Sequence, residues 1–460
     1  MTYDLALENG TVCTENGLFP ANVYVEGEEI RVISSIKEKL PAKESIDCSG
    51  LFLLPGFIDP HVHLGLALGR YTSADNFESG SALALSGGVT TLIDFLDPIS
   101  DLAQLEAAKR DRMTAAKDSR VDYSFHVTLA GNPSFSAEEI ARSSVAAKMP
   151  SIKVFTTYSS SGRRSSDGMI YSLLSLSRKL GFVLMAHSEN DEIIREREKE
   201  FSRPTYRDIS SLRPTISELS EVAMLSLISL EEEGQLYIVH VSSGKTVEAL
   251  SSLGLDWRRF TKLETCPQYL LLNNDPLKTD QGYLNTYCPP PRTDQERALL
   301  QSALRKGEIS SIGTDHCPFL NREKWENRDD YPKIPNGTGS LGISFATINT
   351  ILDGDLKRVS SLLSTNPARI FGLFPKRGVL APGSIANIAI VDRDVQSTVS
   401  RSRYTRSDHS LFEGIKLRGS VETVIHRGKL AFKNGDILLP KASGRFIERE
   451  NIYWEKGTCK

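Results

Sequence analysis

Eight short apolar runs separated by amphipathic stretches fill the middle of this chain, and five of them end in a residue that can bind a metal. In order they read LFLLPGFIDPHVHL, GVTTLIDFLDP, VDYSFHVTLAG, SIKVFTTYSS, GFVLMAHSE, QLYIVHVSS, FTKLETCPQ and EISSIGTDH. Stretches such as LAQLEAAKRDRMTAAK and ISELSEVAMLSLISLEEE carry helical periodicity between them. Alternating strands and helices, with eight strands, predict an α/β fold built on a (β/α)8 TIM barrel. Such a barrel places its active site at the C-terminal ends of the strands. Those ends carry His61 and His63, Lys153, His187, His240 and Asp315.

The two ends of the chain have another texture. Residues 1 to about 50 alternate apolar and polar between Asn-Gly and Glu-Gly turns, predicting short antiparallel strands. The pattern returns in SIANIAIVDRD and GSVETVIHRGKLAFKNGDI. Two β-rich ends too small to fold well apart are expected to join in one small β-sandwich. The expected domains are residues 1–52 and 374–445 for the sandwich, 53–373 for the barrel and 446–460 for a tail. The polar, Gly- and Pro-containing segment from Leu320 to Gly342 is long for a connection and is expected to be a lid or substrate loop.

The strand-end residues predict a centre for two divalent ions, zinc by ligand type. His61 and His63, two apart on a strand, point the same way and can grip one ion with Asp315. His187 and His240 would hold the other. A lysine ammonium has no lone pair to donate, so Lys153 joins only as a carbamate formed with carbon dioxide, whose two oxygens bridge the ions. Ions ~3.5–4 Å apart would share a hydroxide and stabilise an oxyanion. Asp315 could move the proton, and Tyr158, beyond the strand of Lys153, could polarise a carbonyl oxygen. A single histidine at a strand end is ordinarily a satisfied polar residue, a lone lysine a salt-bridge partner and a lone tyrosine a packing residue. Four of the eight histidines at strand ends, with Asp and Lys in compatible order, make coincidence a poor account. His126, His316, His409 and His426 read as structural or surface residues.

Composition narrows the class. A net charge of -3 offers no basic face to a nucleic acid, and no run approaches the ~18 apolar residues of a membrane span. The start MTYDLALENG lacks the signature of a signal peptide. The six cysteines (Cys13, Cys48, Cys266, Cys288, Cys317, Cys459) show no paired spacing and read as reduced thiols of a cytoplasmic protein.

The strings GFIDPHVHL, TSADNFESGS, SIKVFTTY, AHSEND, SRPT, YIVHVSS, ETCPQYLLL, CPPPR, IGTDHCPF and IPNGTG together resemble the hydantoinase/dihydropyrimidinase branch of the amidohydrolase superfamily. The resemblance covers essentially the whole chain. It implies a binuclear, usually zinc, hydrolase that opens cyclic amides, with carboxylated Lys153 as the bridge and His61, His63, His187, His240 and Asp315 as the other ligands. It further implies that Tyr158 polarises the scissile carbonyl. The backbone at Cys288 and Asn336 would hold the ring edge of a small cyclic ureide or imide. The protein would be a homo-oligomer, a tetramer or dimer. Three departures stand out. Cys288 replaces a typical serine, GTGSLGISF replaces a Glu and an Arg after Asn336, and residues 383–387 lack the usual Asp. The second predicts a changed pocket edge and the third a changed support for the lid. Dihydroorotases resemble this pattern but carry an arginine where Gly65 stands, and allantoinases differ in their pocket. Non-catalytic scaffolds of the same fold characteristically lose ligands, whereas here every ligand position is filled. A mononuclear deaminase-type relative would not need Lys153.

Overall fold

The computed structural model describes residues 2–454, so Met1 and the last six residues of the expected tail, Cys459 among them, lie outside the described residues. Eight parallel strands pair in chain order: β1 (Phe57–Val62), β2 (Val89–Phe95), β3 (Asp122–Thr128), β4 (Ser151–Phe155), β5 (Val183–His187), β6 (Leu236–Ile238), β7 (Thr261–Thr265) and β8 (Ser311–Ile312). A parallel bridge between Val62 and His316 closes the sheet beyond β8. There Asp315 N–H donates to the His61 carbonyl at 2.8 Å and His63 N–H to the His316 carbonyl at 3.0 Å. The expected (β/α)8 barrel is what the chain forms.

The apolar runs work as strands because both faces are covered. Residues from alternate positions, among them Ile58, Ile93, Val183, Met185 and Tyr237, fill the lumen with Phe371. The helix Asn366–Ile370 and the residues after it belong to the same cluster, which plugs the barrel at the end away from the strand C-termini. Helix limits follow local chemistry. The helix Asp294–Lys306 begins at a capping box of Thr293 and Glu296 and stops at Gly307, whose φ of 79° is left-handed.

Both chain ends contribute to one separate sheet of nine strands. Its core joins Leu7, Val23 and Leu53 from the first part to Ile388, Ile390 and Ile425 from the second. The expectation of purely antiparallel pairing is corrected here. The first strand, Tyr3–Thr14, pairs antiparallel with Gly17–Glu26 but parallel with both Ala42–Asp47 and Phe52–Pro55. A bulge between Leu7 and Gly10, with Asn9 at φ 62°, splits it so that each half takes a different parallel neighbour. The strand Phe52–Pro55 belongs to this sheet, and the barrel begins after Gly56.

Residues 383–387 also belong here. Gly383 N–H donates to the Ile30 carbonyl and Ala386 N–H to that of Glu28, both at 2.8 Å, so the segment fastens the sheet and does not support the lid. The C-terminal residues through Trp454 line the barrel wall. Arg449, fully buried, donates from Nε to Ser124 Oγ at 3.0 Å and from Nη2 to Ser151 Oγ at 2.7 Å. Among the described residues no helix is long and apolar enough to cross a membrane.

Candidate metal centre and its pocket

The strand C-termini open into a cavity of about 1060 Å³ lined by all six expected ligands and by Tyr158, Cys288 and Asn336. His61 Nε2, His63 Nε2 and Asp315 Oδ1 converge: each imidazole nitrogen is 3.1 Å from the carboxylate oxygen and the two nitrogens are 3.2 Å apart. The rings of His187 and His240 lie 4.5 Å apart, and that of His240 is 5.5 Å from His61. Beyond β6 and β8 the chain turns sharply, giving His240 a φ of 41° and Asp315 a φ of 49°. Tyr158, at φ 67°, makes a third left-handed turn. Left-handed backbone is unfavourable for such residues and persists where surrounding structure fixes it, as at many active sites.

Two observations test the fit of metal ions. Lys153 Nζ and His240 Nδ1 are buried with no hydrogen-bond partner among the described residues. Buried polar atoms are ordinarily satisfied, so both call for a further group. Burial pushes the Lys153 amine down to about 7, where the neutral form that reacts with carbon dioxide is well populated. Burial also opposes charge on Asp315, but His61 and His63 outweigh it and hold the carboxyl well below its usual range. Four imidazoles, a carboxylate and a carbamate-capable lysine suit zinc and equally manganese, cobalt or iron.

Outer partners fix the ligands, and the sequence reading missed them. His61 Nδ1 lies 2.7 Å from Glu264 Oε1, which also accepts from the His240 backbone N–H at 2.8 Å, while Tyr237 Oη donates to Glu264 Oε2 at 2.8 Å. His187 Nε2 is 2.7 Å from Glu189 Oε2, and Arg213 grips that same carboxylate. Burial would raise Glu189, but Arg213 and His187 hold it well below the usual carboxylate range, so the imidazole donates. A metal-binding histidine characteristically gives its other ring nitrogen to such a partner. This leaves Nε2 of His61 and Nδ1 of His187 for ions. Glu189 and Glu264 sit inside AHSEND and ETCPQ; Arg213 is in the Arg-Pro-Thr of 213–215, not in SRPT at 202–205. Gly313 is required by this packing, since a Cβ there would lie 2.4 Å from Glu264 Oε2 and 2.8 Å from His61 Cβ.

Opposite the ligands, the Tyr158 ring lies 5.2 Å from that of His187. Burial holds its phenol protonated well above the usual pKa, so it can donate a hydrogen bond. Cys288 Sγ is 3.6 Å from Tyr331 Oη, and burial raises its thiol. Asn336 Oδ1 is buried without a partner among the described residues. The expected lid or substrate loop contains a helix at Asn321–Trp325 and a 3-10 turn at Tyr331–Lys333. Lys324, fully buried, donates to the carbonyls of Leu284, Thr286 and Gly337, tying the Cys288 loop to the Asn336 loop. His126 and His316 stand outside the ligand set. The former bonds Ser151 and the Pro60 carbonyl, and the latter lies 2.9 Å from Asp75 Oδ2.

Residues 52–431 match the amidohydrolase family. The chain belongs to that family. This amidohydrolase is 30% identical to the D-hydantoinase of Geobacillus stearothermophilus, over 96% of each chain. It is also 30% identical to a D-phenylhydantoinase of Escherichia coli O1:K1, over 96% of this chain and 98% of that one. Among solved structures, the dihydropyrimidinase of Brevibacillus agri superposes with a TM-score of 0.88 at 29% identity, covering 97% and 99% of the two chains. The L-hydantoinase of Arthrobacter aurescens does so with 0.86 at 26%, covering 97% and 100%. These relatives put the amidohydrolase in the hydantoinase/dihydropyrimidinase branch, as the sequence strings implied.

Proposed function

We propose that this amidohydrolase opens five- or six-membered cyclic ureides or imides by hydrolysing a ring amide bond. The observation that carries the reading is the convergence of His61, His63 and Asp315 beside Lys153 Nζ and His240 Nδ1, both without a hydrogen-bond partner among the described residues, in one cavity. His61, His63 and Asp315 would hold one divalent ion and His187 and His240 the other, with Lys153, carboxylated by carbon dioxide, shared between them. Two such ions, zinc by this reading, would supply an activated water and Lewis-acid polarisation of the carbonyl. Tyr158 donates its phenol hydrogen to the carbonyl oxygen as negative charge develops there. Asp315 takes a proton from the attacking water and returns it to the ring nitrogen as the carbon–nitrogen bond breaks. The backbone at Cys288 and Asn336 holds the edge of the ring. Free thiols at Cys13, Cys48, Cys266, Cys288 and Cys317 support a reducing compartment, the cytoplasm. Exposed Tyr171, Ile216 and Leu227 on the neighbouring helices Asp167–Leu180 and Thr215–Glu231 support a homo-oligomer, a tetramer or dimer.

The test is a ring-opening assay of protein loaded with zinc and bicarbonate, on hydantoin, 5-substituted hydantoins, dihydrouracil, dihydroorotate and allantoin. Wild type should open hydantoins or dihydrouracil. Asp315→Asn should keep most of its metal and lose about 10²-fold or more in turnover. Near-normal rates in that variant would remove Asp315 from proton transfer. Opening of dihydroorotate or allantoin alone would move the chain to those branches.

A further inference from the structure

The cations on the pocket wall are not equivalent. Arg112 is 2.8 Å from Asp94, Arg213 is 2.5 Å from Glu189, Lys333 is 2.6 Å from Asp330 and Arg70 is 3.8 Å from Glu326. Lys153 belongs to the metal centre. Arg163 is left, half-buried, with no carboxylate in ion-pair distance among the described residues, while its neighbour Arg164 is 3.0 Å from Glu192. Glu198 shares the rim but is exposed and does not pair with Arg163.

The position of Arg163 is fixed. Its N–H donates to the Tyr158 carbonyl at 3.2 Å, and Ser165 N–H donates to that of Phe155 at 2.8 Å. The loop after β3 is clamped to it through Gly131 N–H and the Gly162 carbonyl at 2.9 Å. The guanidinium lies 5.8 Å from the centre of the Phe155 ring. That ring is 5.3 Å from Lys153 Nζ, 5.7 Å from the His187 ring and 5.9 Å from that of Tyr158. Arg163 is therefore one side chain removed from the reacting groups, on the wall a ring substituent would meet. Arg70, at the tip of the hairpin Ala67–Leu68 and Tyr71–Thr72, adds a looser cation on the rim.

We infer that the site takes a cyclic ureide whose exocyclic substituent ends in a carboxylate, with Arg163 as its counter-charge. This rests on the ring-opening reading and adds the substituent's chemistry. A planar guanidinium backed by an aromatic face presents parallel donors to a carboxylate, and partial burial spares the pair from full screening by water and salt. An apolar substituent would cover the same guanidinium without satisfying it, which costs binding. Ring opening of a hydantoin of this class adds water across the C4–N3 bond and releases an N-carbamoyl amino acid with an acidic side chain.

The experiment compares kcat/KM of the metal-loaded enzyme for hydantoin-5-acetic and hydantoin-5-propionic acids with those for their neutral amides, with hydantoin and dihydrouracil as references. The acids should be preferred by about tenfold or more, less at high salt. Arg163→Gln should bring the ratio of acid to amide towards one, and Arg163→Glu should invert it, both with wild-type melting behaviour. Wild type that treats acid and amide alike while opening the references overturns this inference alone. So does Arg163→Gln that keeps the preference. Failure to open any compound overturns the ring-opening reading and this inference with it.

Discussion

Arg213 lies 4.8 Å above the ring of Tyr158 while its guanidinium holds the carboxylate of Glu189. One buried side chain thus packs on the phenol of Tyr158 and, through Glu189, sets the ring of His187. Arg213→Met would leave Glu189 charged and buried with no cation and only the His187 hydrogen bond, a loss of about 3–5 kcal/mol. Arg213→Lys keeps the charge but not the fork, so it should fold better and still lower turnover. Chemical denaturation and metal analysis read the outcome. Wild-type stability together with two metal equivalents in Arg213→Met would show that the arginine supports neither group.

Glu264 binds His61 Nδ1 and the His240 backbone N–H through a single oxygen. It therefore couples a ligand of each proposed ion. Glu264→Gln removes the charge while nearly keeping the shape, so metal affinity should fall by about 10–100-fold. Competition against a chelator measures this directly. An unchanged affinity would reduce Glu264 to a packing residue.

The candidate ligands are legible in the sequence because each is a distinctive residue type at the end of a run whose apolar character is local information. Their outer partners were not. Glu189 follows a strand and Glu264 lies within one, as any polar residue could, and Arg213 reaches Glu189 only after the chain has passed through two helices and a 3-10 turn. The barrel could be counted from eight runs, whereas alternation in Ala42–Asp47 marks a strand without its direction. The parallel pairing depended on a bulge at Asn9. Arg163 was equally silent, since its lack of a partner is a property of space and not of spacing.

Lys153 pairs in register with Thr128 on one side and Met185 on the other, which turns its side chain into the lumen, where none of the described residues hydrogen-bonds it. Lys153→Ala should lose metal and most activity, and millimolar acetate or propionate should restore part of both. Wild type prepared without bicarbonate should bind less metal than wild type prepared with it. Full metal content in Lys153→Ala would exclude the carbamate bridge.

Asp75 joins the barrel to the loop at 405–406: it accepts from Thr405 Oγ1 at 2.6 Å and from the Arg406 N–H at 2.7 Å, and it lies 2.9 Å from His316 Nε2. Burial alone would raise its pKa, but His316 and these donors outweigh that and hold it down at about 2, against 3.8 for a free side chain. A carboxyl with a lowered folded pKa stabilises the fold above the unfolded value, and the contribution disappears as the pH falls from near 4 through 2. The difference corresponds to ~2 kcal/mol at neutral pH. Asp75→Asn should therefore be less stable than wild type by about that amount at pH 7, with the gap narrowing below pH 4. Urea unfolding of both proteins at pH 7, 4 and 3 tests the sign. A gap that stays constant to pH 3 would mean that the shape of the Asp75 side chain, and not its charge, holds the loop at 405–406 in place.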